Sequence, residues 1–425
     1  MKGKVSRRKG DPSIGLRRKD GSRWRSRDKL LLLFGITTII MFIRKTDSII
    51  HPQFWAEDGT VFFLQQYNQG VSALFEPYAG YLHVVPRLIA LFSDSFFPYS
   101  AAPYVYNYSS LFLTLLVIAN IFSSRLIMNN KFLLVLSVVL VPHYRNQVFL
   151  NITNLQWILA ILIIVTLLKE QPHPKYGNVH VQRIVDFTVI ICCGLTGPFI
   201  IFLLPFFVWK CFRARNYHSY SIVMAVIAVA SIQLLFIIND VPLSSGAVAQ
   251  NYEYARVVGQ KLFGNLFLGI SIPYEINAYF LCSLLLFLIV FIAYLSVDYD
   301  KNRSFVIVVL LGFFFAILLA TLNKFKLNPG GIIPPGAGPR YFYLPYVMIV
   351  WSLIICLDQK KIWKSILVKL LLIVILISSL ASEFHSNPFI DYDWQSYSKL
   401  IGKEQNLTIP INPKGWFINI SPNKG

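Results

Sequence analysis

Charge is what this chain has least of. Only 14% of its 425 residues are Asp, Glu, Lys or Arg, where a soluble domain carries roughly a quarter. Acids are scarcest, 20 against 39 Lys and Arg. That shortage, with a hydrophobic share of 55% and a mean hydropathy of +0.57, excludes an ordinary soluble domain. Cysteine is also sparse. Cys192, Cys193, Cys211, Cys282 and Cys356 all lie in or at the ends of apolar segments. None has zinc-site spacing and none sits in a long polar loop, so thiol redox chemistry, a zinc centre and a disulfide framework are excluded, and the five read as small core hydrophobes. The chain also lacks a phosphate-binding loop, HExxH, GxSxG, a heptad array and an internal repeat, which leaves no support for an inverted-repeat transporter.

What is present is oil in long runs. LFLTLLVIANIF and FLCSLLLFLIVFIAYLSV belong to stretches of about 15–20 apolar residues, long enough to cross or nearly cross a bilayer. A β-barrel would need alternating strands of about ten residues instead. The expected fold is an all-α polytopic membrane protein with eleven spans, at 30–47, 103–122, 131–148, 154–168, 184–196, 199–211, 220–238, 278–297, 305–322, 341–357 and 366–381. The stretch 81–97 is expected to be an amphipathic or re-entrant helix, because it carries His83, Arg87 and Asp94. Residues 184–211 read as a helical pair broken at Gly197 and Pro198, with the tip beside a cavity.

Charge orients this arrangement. Residues 1–29 hold 12 Lys/Arg and three Asp, a basic cytoplasmic arm that meets anionic lipid rather than nucleic acid and is too long for the head of a signal peptide. Beyond it, the loops assigned inside carry 13 Lys/Arg, and those assigned outside between residues 143 and 340 carry six, as the positive-inside tendency requires. Three units result: the arm 1–29, a transmembrane domain 30–381 with a large outer loop at 48–102, and an extracytoplasmic tail 382–425 that reads as a short helix followed by an extended piece.

The outer side collects the polar residues. FWAEDG, residues 54–59, puts Glu57 and Asp58 beside a membrane boundary. A carboxylate partly desolvated there has its pKa raised toward the range useful for taking a proton from a hydroxyl. Neighbouring helical residues point about 100° apart, so Asp58 is favoured as the base, with Glu57 orienting a group or helping to hold a divalent ion such as Mg or Mn. Two acids in a helix's first turn would also suit its dipole. Arg340 in GPRYF sits where an outer loop re-enters the membrane, placed to grip a lipid-linked phosphate, or simply to anchor at the interface. Arg87 and His83, four apart, share a helical face and could serve the same phosphate. Asn146, Gln147, Asn154, Gln156 and Trp157, with Tyr81 and Tyr341, supply the amides and aromatic faces a sugar ring needs, although amides cap helix ends equally well.

Taken together, the many spans, the acidic pair Glu57-Asp58 in the first outer loop, the amphipathic helix behind it and the polar outer tail resemble the GT-C class of integral-membrane glycosyltransferases. The nearer resemblance is to bacterial enzymes that decorate O-antigen, of the serotype-converting glucosyltransferase kind. The resemblance implies an inner-membrane enzyme with its N-terminus cytoplasmic and its C-terminus periplasmic. It also implies a polyprenyl-phosphate sugar donor, a lipid-linked or polymeric glycan acceptor, one carboxylate as base or metal ligand, and basic outer-loop residues, here Arg340 and Arg87, on the donor phosphate. The chain departs from larger relatives in its tail of only about 44 residues, which leaves acceptor recognition to the loops. An O-antigen polymerase and a lipid-linked sugar flippase are the alternatives.

Overall fold

Each of the eleven apolar segments carries a helix, and so does the stretch 81–97. The computed structural model describes residues 26–142, 147–240, 251–269, 276–297, 300–332, 338, 340–357, 361–384, 388–403 and 406–421. Most of the basic arm lies outside these residues, as does Asn146. Helices of ten residues or more are numbered α1 Ser26–Arg44, α2 Val84–Phe96, α3 Ala102–Ile121, α4 Lys131–Leu140, α5 Leu155–Leu167, α6 Val179–Thr188, α7 Phe199–Ala214, α8 Tyr217–Asn239, α9 Ala278–Ser296, α10 Lys301–Lys324, α11 Arg340–Ile355 and α12 Ile362–Glu383.

Five of these segments are long and apolar enough to cross a membrane: Tyr99–Ile121, Tyr217–Asn239, Ala278–Ser296, Lys301–Lys324 and Ile362–Ser382. Their outer faces remain oily; Leu235, Phe287 and Leu319 are each more than 60% exposed. Water would not tolerate so much contiguous apolar surface, whereas lipid would. By contrast α5 is buried along its whole length, as expected of a helix that is hydrophobic all round. It forms the centre of the bundle with α11, which is buried from Phe342 to Ile355. Polar cross-links fix α11 against α4: Trp351 Nε1 donates to Ser137 Oγ at 2.9 Å and the Tyr343 hydroxyl to Val138 O at 2.9 Å.

The amphipathic reading of 81–97 matches α2. It buries Pro86, Arg87, Ile89, Ala90 and Ser93 and exposes Leu88, Phe92 and Phe96. The expected break in 184–211 is also present. α6 continues as a wide turn to Cys193, and α7 begins only at Phe199. Gly197 adopts φ 121° between them. The outer stretch after residue 250 differs from its reading as a loop, because it is helical from Asn251 to Leu268. Gly259 lies so close to α9 that a Cβ would stand 2.2 Å from Ala278 O, and that packing turns a weakly apolar sequence helical. The tail forms a short helix, Trp394–Ser398, and an antiparallel hairpin of β1 Leu407–Ile411 and β2 Trp416–Ile420.

Candidate functional site

FWAEDG is bent by contact with the tail. The Ala56 amide donates to Asn412 O, and Ala56 itself is left-handed at φ 45°. Phe54 packs its ring on Phe63, Tyr106 and Trp394. The chain then enters a wide helical turn, Asp58–Phe63. A Cβ on Gly59 would stand 2.7 Å from Ile418 Cδ1 and 2.9 Å from Ile411 Cδ1, so the hairpin seats directly on this turn.

The bend aims Asp58 inward. Its side chain is fully buried, and Oδ1 accepts from the Thr153 amide at 2.9 Å and the Thr153 hydroxyl at 2.6 Å. Oδ2 is buried with no hydrogen-bond partner. Burial pushes the carboxyl up to about 7 against the two bonds from Thr153 and the nearby Lys45 ammonium, which pull it down; Glu57 adds a smaller push. Lys45 reaches this place from the end of α1. Its Nζ donates to Phe149 O at 2.8 Å and lies over the Trp55 and Phe389 rings.

Glu57 faces another group. Its Oε1 accepts from the Tyr78 hydroxyl at 3.0 Å. Tyr78 and Tyr81 flank a two-residue turn in which Ala79 and Gly80 both have positive φ, the geometry that matches the twist of paired strands. Burial, followed by the Glu57 charge, raises the Tyr78 phenol above its usual range. His83 lies just beyond, its Nε2 3.2 Å from Tyr78 O and its ring 4.8 Å from that of Tyr81. The broken tip holds this segment in place. Val84 N donates to Leu195 O and Val85 N to Thr196 Oγ1. Gln233 Nε2 reaches Leu82 O, Gly194 O and Gly197 O. That one amide satisfies the irregular backbone that apolar surroundings would otherwise penalise.

Arg340 opens α11 beside this group. Its NH1 donates to Asn154 Oδ1 at 3.4 Å, its guanidinium lies 5.6 Å from the Tyr341 ring centre, and Glu57 and Tyr81 interact with it electrostatically. Lys324 adds a second cation, 5.8 Å from the same ring. His83 and Arg87 do not share a partner despite their spacing, since Arg87 NH2 donates to Gln65 Oε1 at 2.7 Å. His83 is also neutral: burial, then the charges of Arg87, Arg340 and Lys324, lower its pKa to about 3. It can therefore position a ligand through a hydrogen bond but brings no positive charge to a phosphate. Arg87 is 1% exposed, with Nε and NH1 unpartnered.

Asn154 behaves differently from its sugar-binding reading. Asn154 Nδ2 bonds Gln147 O, and Asn151 ties Gln147 O, Phe149 O and the Asn154 amide. They knit the loop that presents Thr153. Trp157 is 5% exposed between Phe199 and Tyr341, so its ring is a packing wall rather than a stacking face. The oxygens of Gln147 and Gln156 are buried and unpartnered, and Gln156 contacts Tyr81 by a hydrogen bond. Sequence reasoning missed Thr153, Lys45, Tyr78, Lys324 and Gln233. NITNLQW did point to the segment that supplies Thr153, but as amides.

A metal ion was a second expected role for Glu57 and Asp58. Among the described residues no three His, Cys, Asp or Glu side chains gather to hold one. Each acid also has one oxygen committed, to Tyr78 and to Thr153 respectively. The residues present do not fit a protein-held divalent ion, and no step below runs through one. No protein-family model, curated protein or solved structure matches the chain.

Proposed function

We propose that the chain is an inner-membrane glycosyltransferase that moves a sugar from a polyprenyl-phosphate donor to a glycan acceptor on the outer face. The observation that carries this reading is Asp58: a fully buried carboxyl with one oxygen fixed by Thr153, the other free, and a pKa near neutrality. A base that titrates near the working pH transfers protons most efficiently. Arg340 stands by Glu57, its sequence neighbour, and Lys324 by Tyr341 and Tyr81, where a leaving phosphate would need them.

In this reading the eleven apolar segments cross the membrane, the basic arm lies in the cytoplasm and the tail lies outside. α2 rests in the interface with Leu88, Phe92 and Phe96 toward lipid, and the polyprenyl chain runs past it. Asp58 Oδ2 takes the proton from an acceptor hydroxyl as that oxygen attacks the anomeric carbon. The bond from the anomeric carbon to the phosphate oxygen breaks, its electron pair goes to that oxygen, and polyprenyl phosphate leaves against Arg340 and Lys324. Glu57 holds Tyr78 and faces Arg340. Because Asp58 is enclosed, the closed arrangement is the resting one, and the acceptor enters as the hairpin or the Thr153 loop parts.

The test is transfer of label from polyprenyl-phosphate hexose by the purified full chain. Asp58→Ala should abolish it while the protein still reaches the membrane. Wild-type turnover in both Asp58→Ala and Glu57→Ala would end the reading.

A further inference from the structure

A second charged centre lies at the other end of α5. Thr153 stands just before the start of this helix, and Leu167, its last residue, is about 20 Å away at 1.5 Å per residue. There a small cavity, with about 20 Å³ of room for a water-sized group, is lined by Arg125, Thr166, Gln171, Asp186, Lys210 and His218. Glu170 lines it too, but its carboxylate is held by Lys175 at 3.1 Å and by the Tyr176 hydroxyl.

The charges here do not cancel. Arg125 grips Asp186 through two bonds of 3.0 and 2.7 Å, and His218 Nε2 lies 3.2 Å from the same carboxylate. Lys175 matches Glu170. Two ammonium groups remain with neutral acceptors alone. Lys169 Nζ donates to Asn120 Oδ1 at 2.7 Å, and Lys210 Nζ donates to Leu167 O at 2.8 Å and Lys169 O at 2.7 Å. Lys169 is 3% exposed. Uncompensated buried charge of one sign is costly unless a counter-ion joins it. A second, independent observation points the same way. Thr166, which lines the cavity, is 5% exposed and its hydroxyl has no hydrogen-bond partner, nor has Gln171 Oε1 in the same lining.

We propose that this cavity is an anion site that seats one oxygen of a phosphate group. The room available fits a single water-sized atom, so a terminal phosphate oxygen enters while the rest of the group stays at the mouth. The Thr166 hydroxyl and the third N–H of Lys210 donate to it, and the surplus charge of Lys169 and Lys210 balances it. The phosphate comes from a phospholipid headgroup or from solution, and the arms of one experiment separate the two sources.

The full chain in neutral detergent is titrated separately with phosphatidylglycerol, phosphatidylcholine and sodium phosphate. Unfolding is followed by tryptophan fluorescence, and retained adducts are counted by native mass spectrometry. Phosphatidylglycerol should raise the unfolding midpoint saturably and survive as an adduct, with phosphatidylcholine far weaker. If sodium phosphate does the same, the source is soluble phosphate and the site stands. Lys169→Met with Lys210→Met should weaken binding about 10- to 30-fold, and Lys399→Met, at an exposed lysine of the tail, should not. Should the double variant fail to fold, Thr166→Val and the wild-type adducts decide. The proposal is overturned if the wild type gains nothing from phosphatidylglycerol or phosphate beyond phosphatidylcholine, or if the Lys and Thr variants bind as the wild type does.

Discussion

Thr153 holds one oxygen of Asp58 with both its backbone amide, at 2.9 Å, and its hydroxyl, at 2.6 Å. The other oxygen is left buried and unbonded. A carboxylate that only braced the fold would be satisfied on both sides, since buried polar groups almost always are.

The Asp58 carboxyl is therefore a charge the fold carries at a cost. Between its ordinary 3.8 and about 7 the folded state holds a proton that the unfolded chain has released. The stability this group contributes at low pH is thus lost as pH rises through about 7. Asp58→Asn should cut transfer by about 10²- to 10⁴-fold yet leave the thermal unfolding midpoint at pH 8 equal to or above that of the wild type. A variant that melts early and still transfers sugar would mark Asp58 as structural.

If Asp58 must be ionised to accept a proton, transfer rises with pH to a plateau above about 7. The Thr153 bonds favour the charged form. Thr153→Val should therefore move the acid limb of the pH–rate profile upward by about one unit, with Thr153→Ser restoring it. An unmoved limb would assign the titration to another group.

In the proposed reaction Arg340 faces the charge that develops on the leaving phosphate. Arg340→Ala should lower kcat about 100-fold or more, and Arg340→Lys should recover only part, because a point charge cannot reproduce the planar fork. Asn154→Ala removes an acceptor from that guanidinium and should show a smaller loss in the same direction. Steady-state kinetics with labelled donor read all three.

Gly59 leaves no room for a side chain beneath Ile418 and Ile411. Gly59→Ala should cost about 1–3 kcal/mol of stability and reduce transfer along with it. Adding Ile418→Val, which removes the Cδ1 nearest the new methyl, should return part of both. Circular dichroism melts and the transfer assay give the two readouts.

The helices were legible because lipid-facing and buried helices alike need continuous apolar runs, and LTGPF announced its own break through Gly197 and Pro198. Asp58 stood out in the sequence as an acid in an oily chain. Its partners did not. Thr153 and the hairpin reach it across long sequence separations, and nothing local in RKTDSII or NITNLQW marks Lys45 or Thr153 as its partners. The amide of Asn154 misled for the opposite reason. Composition gives its hydrogen-bonding capacity, whereas only the folded loop shows that the Gln147 carbonyl and the Arg340 guanidinium use it. The helix Asn251–Leu268 stayed hidden because its pattern is weak and its close approach to Ala278 supplies what the pattern lacks.

The hairpin's seat on Gly59 also sets an order of events during biosynthesis. The segment that carries Asp58 emerges early from the ribosome and the strands that cover it emerge far later, so the early segment waits uncovered with Ile411 and Ile418 still unmade. In the proposed reading, activity should appear only after the distal residues have folded onto it. A translation intermediate stalled before them would be inserted, helical and inert.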